Sequence, residues 1–186
     1  MRKRLAGRLT KKEVDDLCAV VKGDKQLMSE LYTLTSDPDN RIAANALWTF
    51  THLDRNSAAW LRSKREDLAD RAMAEHDTTK LRLTLTLLLR LPYDKESLRT
   101  DFIDFCLAGV TARSYPNAIR ALCLKLAYQQ MRHHSELLQE LAVTLDILTQ
   151  EPLPPSLRSA SNIVYKKLMA VLKLSGHANS VNNLSG

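Results

Sequence analysis

Glycine is scarce in this chain of 186 residues, with only Gly7, Gly23, Gly109, Gly176 and Gly186. No two stand close together. That excludes the G-x-G-x-x-G dinucleotide turn and the P-loop, which need clustered glycines to bring backbone N–H groups up to phosphates. Cysteine is limited to Cys18, Cys106 and Cys123. The odd count and the lack of paired spacings argue against a disulfide framework or a zinc site. Buried small hydrophobes in a reducing compartment fit better, which makes the cytoplasm the expected location. No run approaches the roughly 18 consecutive apolar residues of a membrane span. Glu13, Asp15 and Asp16 precede the first apolar cluster, Leu17 to Val21, which makes the N-terminus a poor signal peptide.

Acid is missing from residues 1–12, which hold Arg2, Lys3, Arg4, Arg8, Lys11 and Lys12. These six account for the whole net charge of +6, so the remainder of the chain is formally neutral. Residues 1–9 are expected to form a basic N-terminal arm. It is either a solvated terminus or a contact for an anionic surface.

What is present is helical periodicity. Thr10 to Glu13 reads as a capping box, followed by Val14, Leu17, Cys18 and Val21 on one stripe, with Gly23 as the stop. A short helix carries Leu27, Leu31 and Leu34, and Asp37-Pro38 breaks the chain. Helices then alternate at about 38–53, 57–75, 78–91, 95–111, 116–132, 135–149 and 155–174. Between them lie breaker signals such as Pro92-Tyr93-Asp94 and Pro152-Leu153-Pro154-Pro155. No segment shows sustained β alternation. The small, polar residues from Ser175 onward are expected to form a flexible tail.

Every second helix opens with an arginine: Arg41, Arg82, Arg120 and Arg158, separated by 41, 38 and 38 residues. A period near 40 marks a stacked helical-repeat architecture. Three and six residues after each arginine the sequence places Ala44, Leu85, Cys123, Ser161 and then Leu47, Leu88, Leu126, Val164 on one stripe. The arginines fall at its flank, where the guanidinium can meet a carboxylate or carbonyl of a neighbouring repeat. The segment Asp37-Pro38-Asp39-Asn40-Arg41-Ile42-Ala43-Ala44-Asn45-Ala46-Leu47 resembles the turn and second helix of a HEAT repeat. Asp77-Thr78-Thr79-Lys80-Leu81-Arg82 is similar, and Ile119-Arg120 and Leu157-Arg158 continue the register. The chain thus resembles the HEAT/armadillo-like α-α superhelix family over residues 36–174, and taken whole it resembles small bacterial HEAT-like proteins. The resemblance implies an all-α, right-handed α-α superhelix of about four repeats with an N-terminal capping helix. One helical repeat domain over residues 10–174 is expected.

The same resemblance implies that the arginine-bearing helices form a concave layer. They carry bases almost without acid, whereas residues 135–151 carry Glu136, Glu140, Asp146 and Glu151 without a base. Eight residues after each arginine come Thr49, Arg90, Tyr128 and Lys166, opposite the apolar stripe, with Lys125 and Arg132 nearby. Arg90, Lys125, Tyr128, Arg132 and Lys166 are therefore the candidate binding residues, suited to an acidic protein segment or to nucleic-acid phosphate. The alternative is a solvated helix face, with Arg90 and Arg132 favoured at helix C-termini.

Catalytic constellations are not evident. His133 and His134 are adjacent, so they do not face each other on a helix, and no Cys or carboxylate completes a metal set. They read as a solvated helix end. Trp48 with His52, and Trp60 with Leu61, read as packing groups, and Asp101 and Asp104 as the polar side of an amphipathic helix. HEAT-like DNA alkylation-repair glycosylases resemble this architecture and use tryptophans, an aspartate and an arginine in a basic groove. Here only Trp48, Asp39 and Asp77 are available, so a glycosylase or other nucleic-acid binder is the second reading. Adenylosuccinate lyase is set aside because its Ser-Ser-x-Met-Pro-x-Lys-x-Asn loop is absent. The expected function is a non-enzymatic binding or scaffolding module with a protein partner, without cofactor, metal or membrane. A structural subunit pairing through an apolar end surface is the third reading.

Overall fold

A computed structural model describes residues 1–150 and 152–182. All regular structure among the described residues is helical. The chain divides into two compact units, Met1–Pro92 and Tyr93–Gly186, where the sequence suggested one repeat domain.

The first unit contains α1 (Arg2–Leu5), α2 (Lys11–Val21), α3 (Lys25–Leu34) and α4 (Asn40–His52). It continues with α5 (Arg55–Ala58), a 3-10 segment Ala59–Lys64, α6 (Arg65–Ala74) and α7 (Thr78–Arg90). Helix α4 packs against α1, α2, α3 and α7, so its Ile42, Ala43, Ala46, Leu47 and Phe50 are buried. Local chemistry sets the helix starts. Thr10 and Glu13 complete the expected capping box. Asp24, Asp39 and Asp77 each accept two backbone amides at the starts of α3, α4 and α7. Such caps stabilise a helix by about 1 kcal/mol each. The aspartates that carry the repeat resemblance are thus capping groups. The corresponding helices of the second unit begin at or just after Pro116 and Pro155 instead, which suits proline's fixed φ. Gly23, at φ +82, closes α2 as anticipated.

The second unit opens with a 3-10 turn, Lys95–Ser97. Its helices are α8 (Thr100–Thr111), α9 (Asn117–Met131), α10 (Ser135–Thr149) and α11 (Pro155–Asn182). Helix α9 is the hub, packed on α8, α10 and α11. Its buried side chains include Ile119, Cys123, Leu124, Leu126, Ala127 and Met131. Gly109 is required where α8 meets α9: a Cβ there would lie 2.7 Å from Cys123 Sγ.

At both ends helical structure extends beyond the expected bounds of the repeat domain, residues 10–174. Residues 1–9 do not form a detached arm, because Leu5 is fully buried against α4. Asn45 Nδ2 holds the Leu5 and Gly7 carbonyls at 2.8 and 2.9 Å, and Arg2 pairs with Asp37 at 2.7 Å. Helix α11 runs past Ser175 to Asn182, so the polar tail expected from residue 175 begins inside a helix. Its last residues, 183–186, lie outside the described residues, as does Glu151.

A candidate binding face in the second unit

Each unit is stitched by polar contacts that span one repeat period. In the first unit Arg90 donates to the carbonyls of Phe50 at 3.2 Å, Thr51 at 2.5 Å, and Leu53. Arg71 donates to Thr35 Oγ1 at 2.8 Å. In the second, Arg132 Nη2 donates to the Tyr93 carbonyl at 3.2 Å, and His134 Nε2 donates to the Lys95 carbonyl at 3.3 Å. With the Asn45 contacts, these separations run from 36 to 40 residues. Nearest-neighbour stacking of repeats produces this pattern: the side chain of one repeat satisfies the open carbonyls or turn of the repeat before it.

These contacts redistribute the expected site. Arg90 lies in the first unit, and its guanidinium is occupied by the C-terminal end of α4. Thr49, expected on the exposed row, is fully buried, because α2 lies across α4 and Cys18 Sγ donates to the Thr49 carbonyl at 3.3 Å. His134 is half-buried and bonded to the preceding turn, whereas His133, whose Nε2 accepts from Arg132 Nε at 3.0 Å, is exposed at the end of α9 as expected. The repeat arginines divide. Arg120 Nε donates to the Val110 carbonyl at 2.9 Å and Arg158 to the Leu153 carbonyl at 2.9 Å, both within their own repeats. Arg41 and Arg82 are exposed, and their guanidinium groups make no hydrogen bond or ion pair among the described residues.

Lys125, Tyr128 and Arg132 do share one face of α9. At about 100° per residue they fall within roughly 60° of each other, opposite the buried stripe. Lys125 and Tyr128 are half-buried and Arg132 is exposed. Burial raises the Tyr128 phenol above its ordinary pKa, while the nearby Arg132 charge pulls it back. The α11 cation beside Tyr128 is Lys167, whose ammonium lies 5.9 Å from the ring centroid. Lys166, the expected residue, sits one helical step away with Tyr165, Met169 and Ala170 around a surface hollow of about 500 Å³. Sequence phasing missed Lys167 because neighbouring residues on a helix differ by about 100°, and the α9–α11 packing decides which one reaches the tyrosine.

Charge in this unit is sorted by layer. Helices α9 and α11 contain Arg120, Lys125, Arg158, Lys166, Lys167 and Lys173 and no acid. Helices α8 and α10 contain Asp101, Asp104, Glu136, Glu140 and Asp146 and no base. The first unit lacks this sorting; α6 alone mixes Arg65, Glu66, Asp67, Asp70 and Arg71. Its aromatic groups turn inward instead: Trp60 stacks on Phe50 with centroids 6.3 Å apart, Tyr32 meets both edge-on, and Arg71 lies 4.8 Å from the Tyr32 ring. Trp48 packs edge-on against His52 at 5.7 Å. Asp101 is held by Arg99, chiefly through a side-chain hydrogen bond that lowers its pKa. No cluster of metal-ligating side chains occurs among the described residues, and none of their helices is long and apolar enough to cross a membrane.

Helix pairs stacked through one-period contacts define an α-α solenoid protein. A family model described as a HEAT repeat domain matches residues 1–168, and the chain belongs to that family. No curated protein and no solved structure matches it.

Proposed function

We propose that this HEAT repeat protein is a binding module and that the α9–α11 face of its second unit holds an acidic segment of a partner protein. The observation that carries the reading is the sorting of charge: two packed helices offer bases with no acid among them. Tyr128, flanked by Lys167 and Arg132, supplies an aromatic anchor of the kind enriched at protein interfaces. Lys125, Tyr128, Lys166 and Lys167 form the proposed contact set. Arg132 borders it, and Arg90 is left out because its donors are spent on α4. The potential of such a face raises the rate at which acidic partners arrive and selects against basic ones.

The test is fluorescence anisotropy with a labelled polyglutamate peptide and, separately, a labelled single-stranded oligonucleotide. The peptide should bind the protein and lose about tenfold or more of its affinity in Lys125→Glu/Lys167→Glu. Oligonucleotide binding without peptide binding would replace the acidic-protein reading with phosphate recognition, identified by a steep salt dependence. Binding of neither probe would overturn the assignment of this face.

A further inference from the structure

A hollow of about 400 Å³ opens in the second unit beside the ends of α8 and α10, with the start of α9 and residues 152–154 completing its wall. Its lining is of two chemical kinds. Ile147, Leu148, Leu153 and Pro154 make an aliphatic side. Ile147 is 54% exposed, while Leu141 and Leu145 bury the other side of α10, so Ile147 is surplus to the core. Arg113 and Arg120 bring positive charge, and no acid occurs among the described lining residues.

Arg120 decides what the hollow can take. The residue is half-buried, and its Nε is spent on the Val110 carbonyl at 2.9 Å. Its Nη1 and Nη2 make no hydrogen bond or ion pair among the described residues, and both remain accessible from solvent. A guanidinium presents a planar fork of donors that a carboxylate meets with two parallel hydrogen bonds. Thr111 and Leu148 stand at the C-terminal ends of α8 and α10, whose dipoles alone favour a cation. The two full charges of Arg113 and Arg120 reverse that preference.

We propose that this hollow binds a small carboxylate with an aliphatic body. The carboxylate pairs with the open side of the Arg120 fork, and the aliphatic body covers Ile147 and lies along Leu153 and Pro154. The volume falls in the range of small-ligand sites, which combine apolar walls with a few polar groups that fix orientation. No described lining residue is aromatic, so nothing there offers a ring to stack on, and the walls suit an aliphatic body. Lys125, Tyr128, Lys166 and Lys167 do not line the hollow, so the proposal stands or falls independently of the function proposed above.

Calorimetric titration with octanoate, octanol and butyrate tests it. Octanoate should bind, and octanol should bind about tenfold more weakly or worse, because a hydroxyl forms no charged pair with Arg120. Butyrate should also bind more weakly than octanoate, and Ile147→Ser should narrow that gap. Arg120→Met should weaken octanoate about tenfold or more while far-UV circular dichroism stays unchanged. Arg120→Lys keeps the charge without the fork and should fall between the two, which keeps the test decisive if the methionine variant unfolds. Glu151→Gln removes the acid that adjoins two lining residues in sequence, so it should bind octanoate at least as tightly as the wild type. Amide shifts on adding octanoate should be largest at residues 111–120 and 147–154. No octanoate binding at millimolar concentration, octanol binding as tightly as octanoate, folded Arg120 variants that bind like wild type, weaker binding in Glu151→Gln, or shifts centred on Tyr165 and Met169 would each overturn the proposal.

Discussion

Arg90 is the residue whose role changed most between sequence and structure, and truncating it separates the two roles. Its guanidinium reaches three carbonyls at the end of α4: Phe50, Thr51 and Leu53. Phe50 and Thr51 lie in the last turn of α4, where the Phe50 carbonyl also accepts the Leu53 amide at 3.3 Å and where the negative end of the helix dipole favours a cation. A hydrogen bond to a charged group contributes about 1.5–3 kcal/mol when desolvated. Arg90 is exposed, and water can replace it at these carbonyls, so the three bonds together are worth about 2 kcal/mol, not their sum. For a chain of this length that corresponds to about 4–8 °C in Tm. Arg90→Ala should therefore unfold earlier in both urea and heat. Arg90→Lys should recover less than half of the loss, because an ammonium lacks the planar fork that spans several carbonyls. Affinity for an acidic peptide should stay within about twofold of wild type, since Arg90 is outside the proposed face. Unchanged stability in Arg90→Ala, coupled with weaker peptide binding, would refute the capping role and restore Arg90 as a binding residue.

Other outcomes follow from single sites. Gly109→Ala places a methyl group 2.7 Å from Cys123 Sγ and should destabilise by about 1–2 kcal/mol, after allowing for alanine's better helix propensity. Combining it with Cys123→Ala should cost less than the two changes summed; strict additivity in urea melts would count against the clash. Burial raises the Cys18 thiol to about 11 and raises Cys106 well above its usual range, so an aromatic disulfide reagent at neutral pH should label the native protein slowly and all three thiols after unfolding. Rapid labelling of the native state would contradict the packing of α2 on α4 and of α8 on α9. Asp54 and Asp37 are held below their ordinary pKa of 3.8, chiefly by side-chain hydrogen bonds from Lys22 and Arg2. Their folded forms bind protons less readily than their unfolded forms. The stability they contribute is complete above 3.8 and is lost as pH falls below it toward the folded pKa values. Asp54→Asn should thus flatten the acid limb of a pH–stability profile; a limb identical to wild type would argue against the pairing.

The repeat was legible because its signal is local. An arginine at the same helical phase every 38 to 41 residues needs only counting, and Asp24, Asp39 and Asp77 announce helix starts through neighbouring amides. Polar contacts one period apart were not legible, since Arg90 finds Phe50 only after α7 has packed on α4. Counting eight residues from each arginine placed Arg90, Tyr128 and Lys166 off the core but failed at Thr49, where α2 covers the face that later repeats leave open. Lys125, Tyr128 and Arg132 could be phased because all three sit on α9. Choosing between Lys166 and Lys167 required the position of α11 against it. The basic N-terminus suggests an arm because charge dominates its composition, yet Leu5 buries its side chain on α4 while Asn45 and Asp37 hold the segment by polar contacts. One buried leucine beside six bases carries little weight in a compositional reading and much in the folded structure.

The central claim is that the α9–α11 face receives an acidic partner, and amide chemical-shift mapping with a polyglutamate peptide tests it most directly. The chain's densest basic segment is residues 1–12, so simple charge attraction would draw the peptide there. The account predicts that the largest shifts cluster around residues 122–132 and 163–170, with Tyr128 at their centre. Shifts confined to residues 1–12, with α9 and α11 silent, would contradict it.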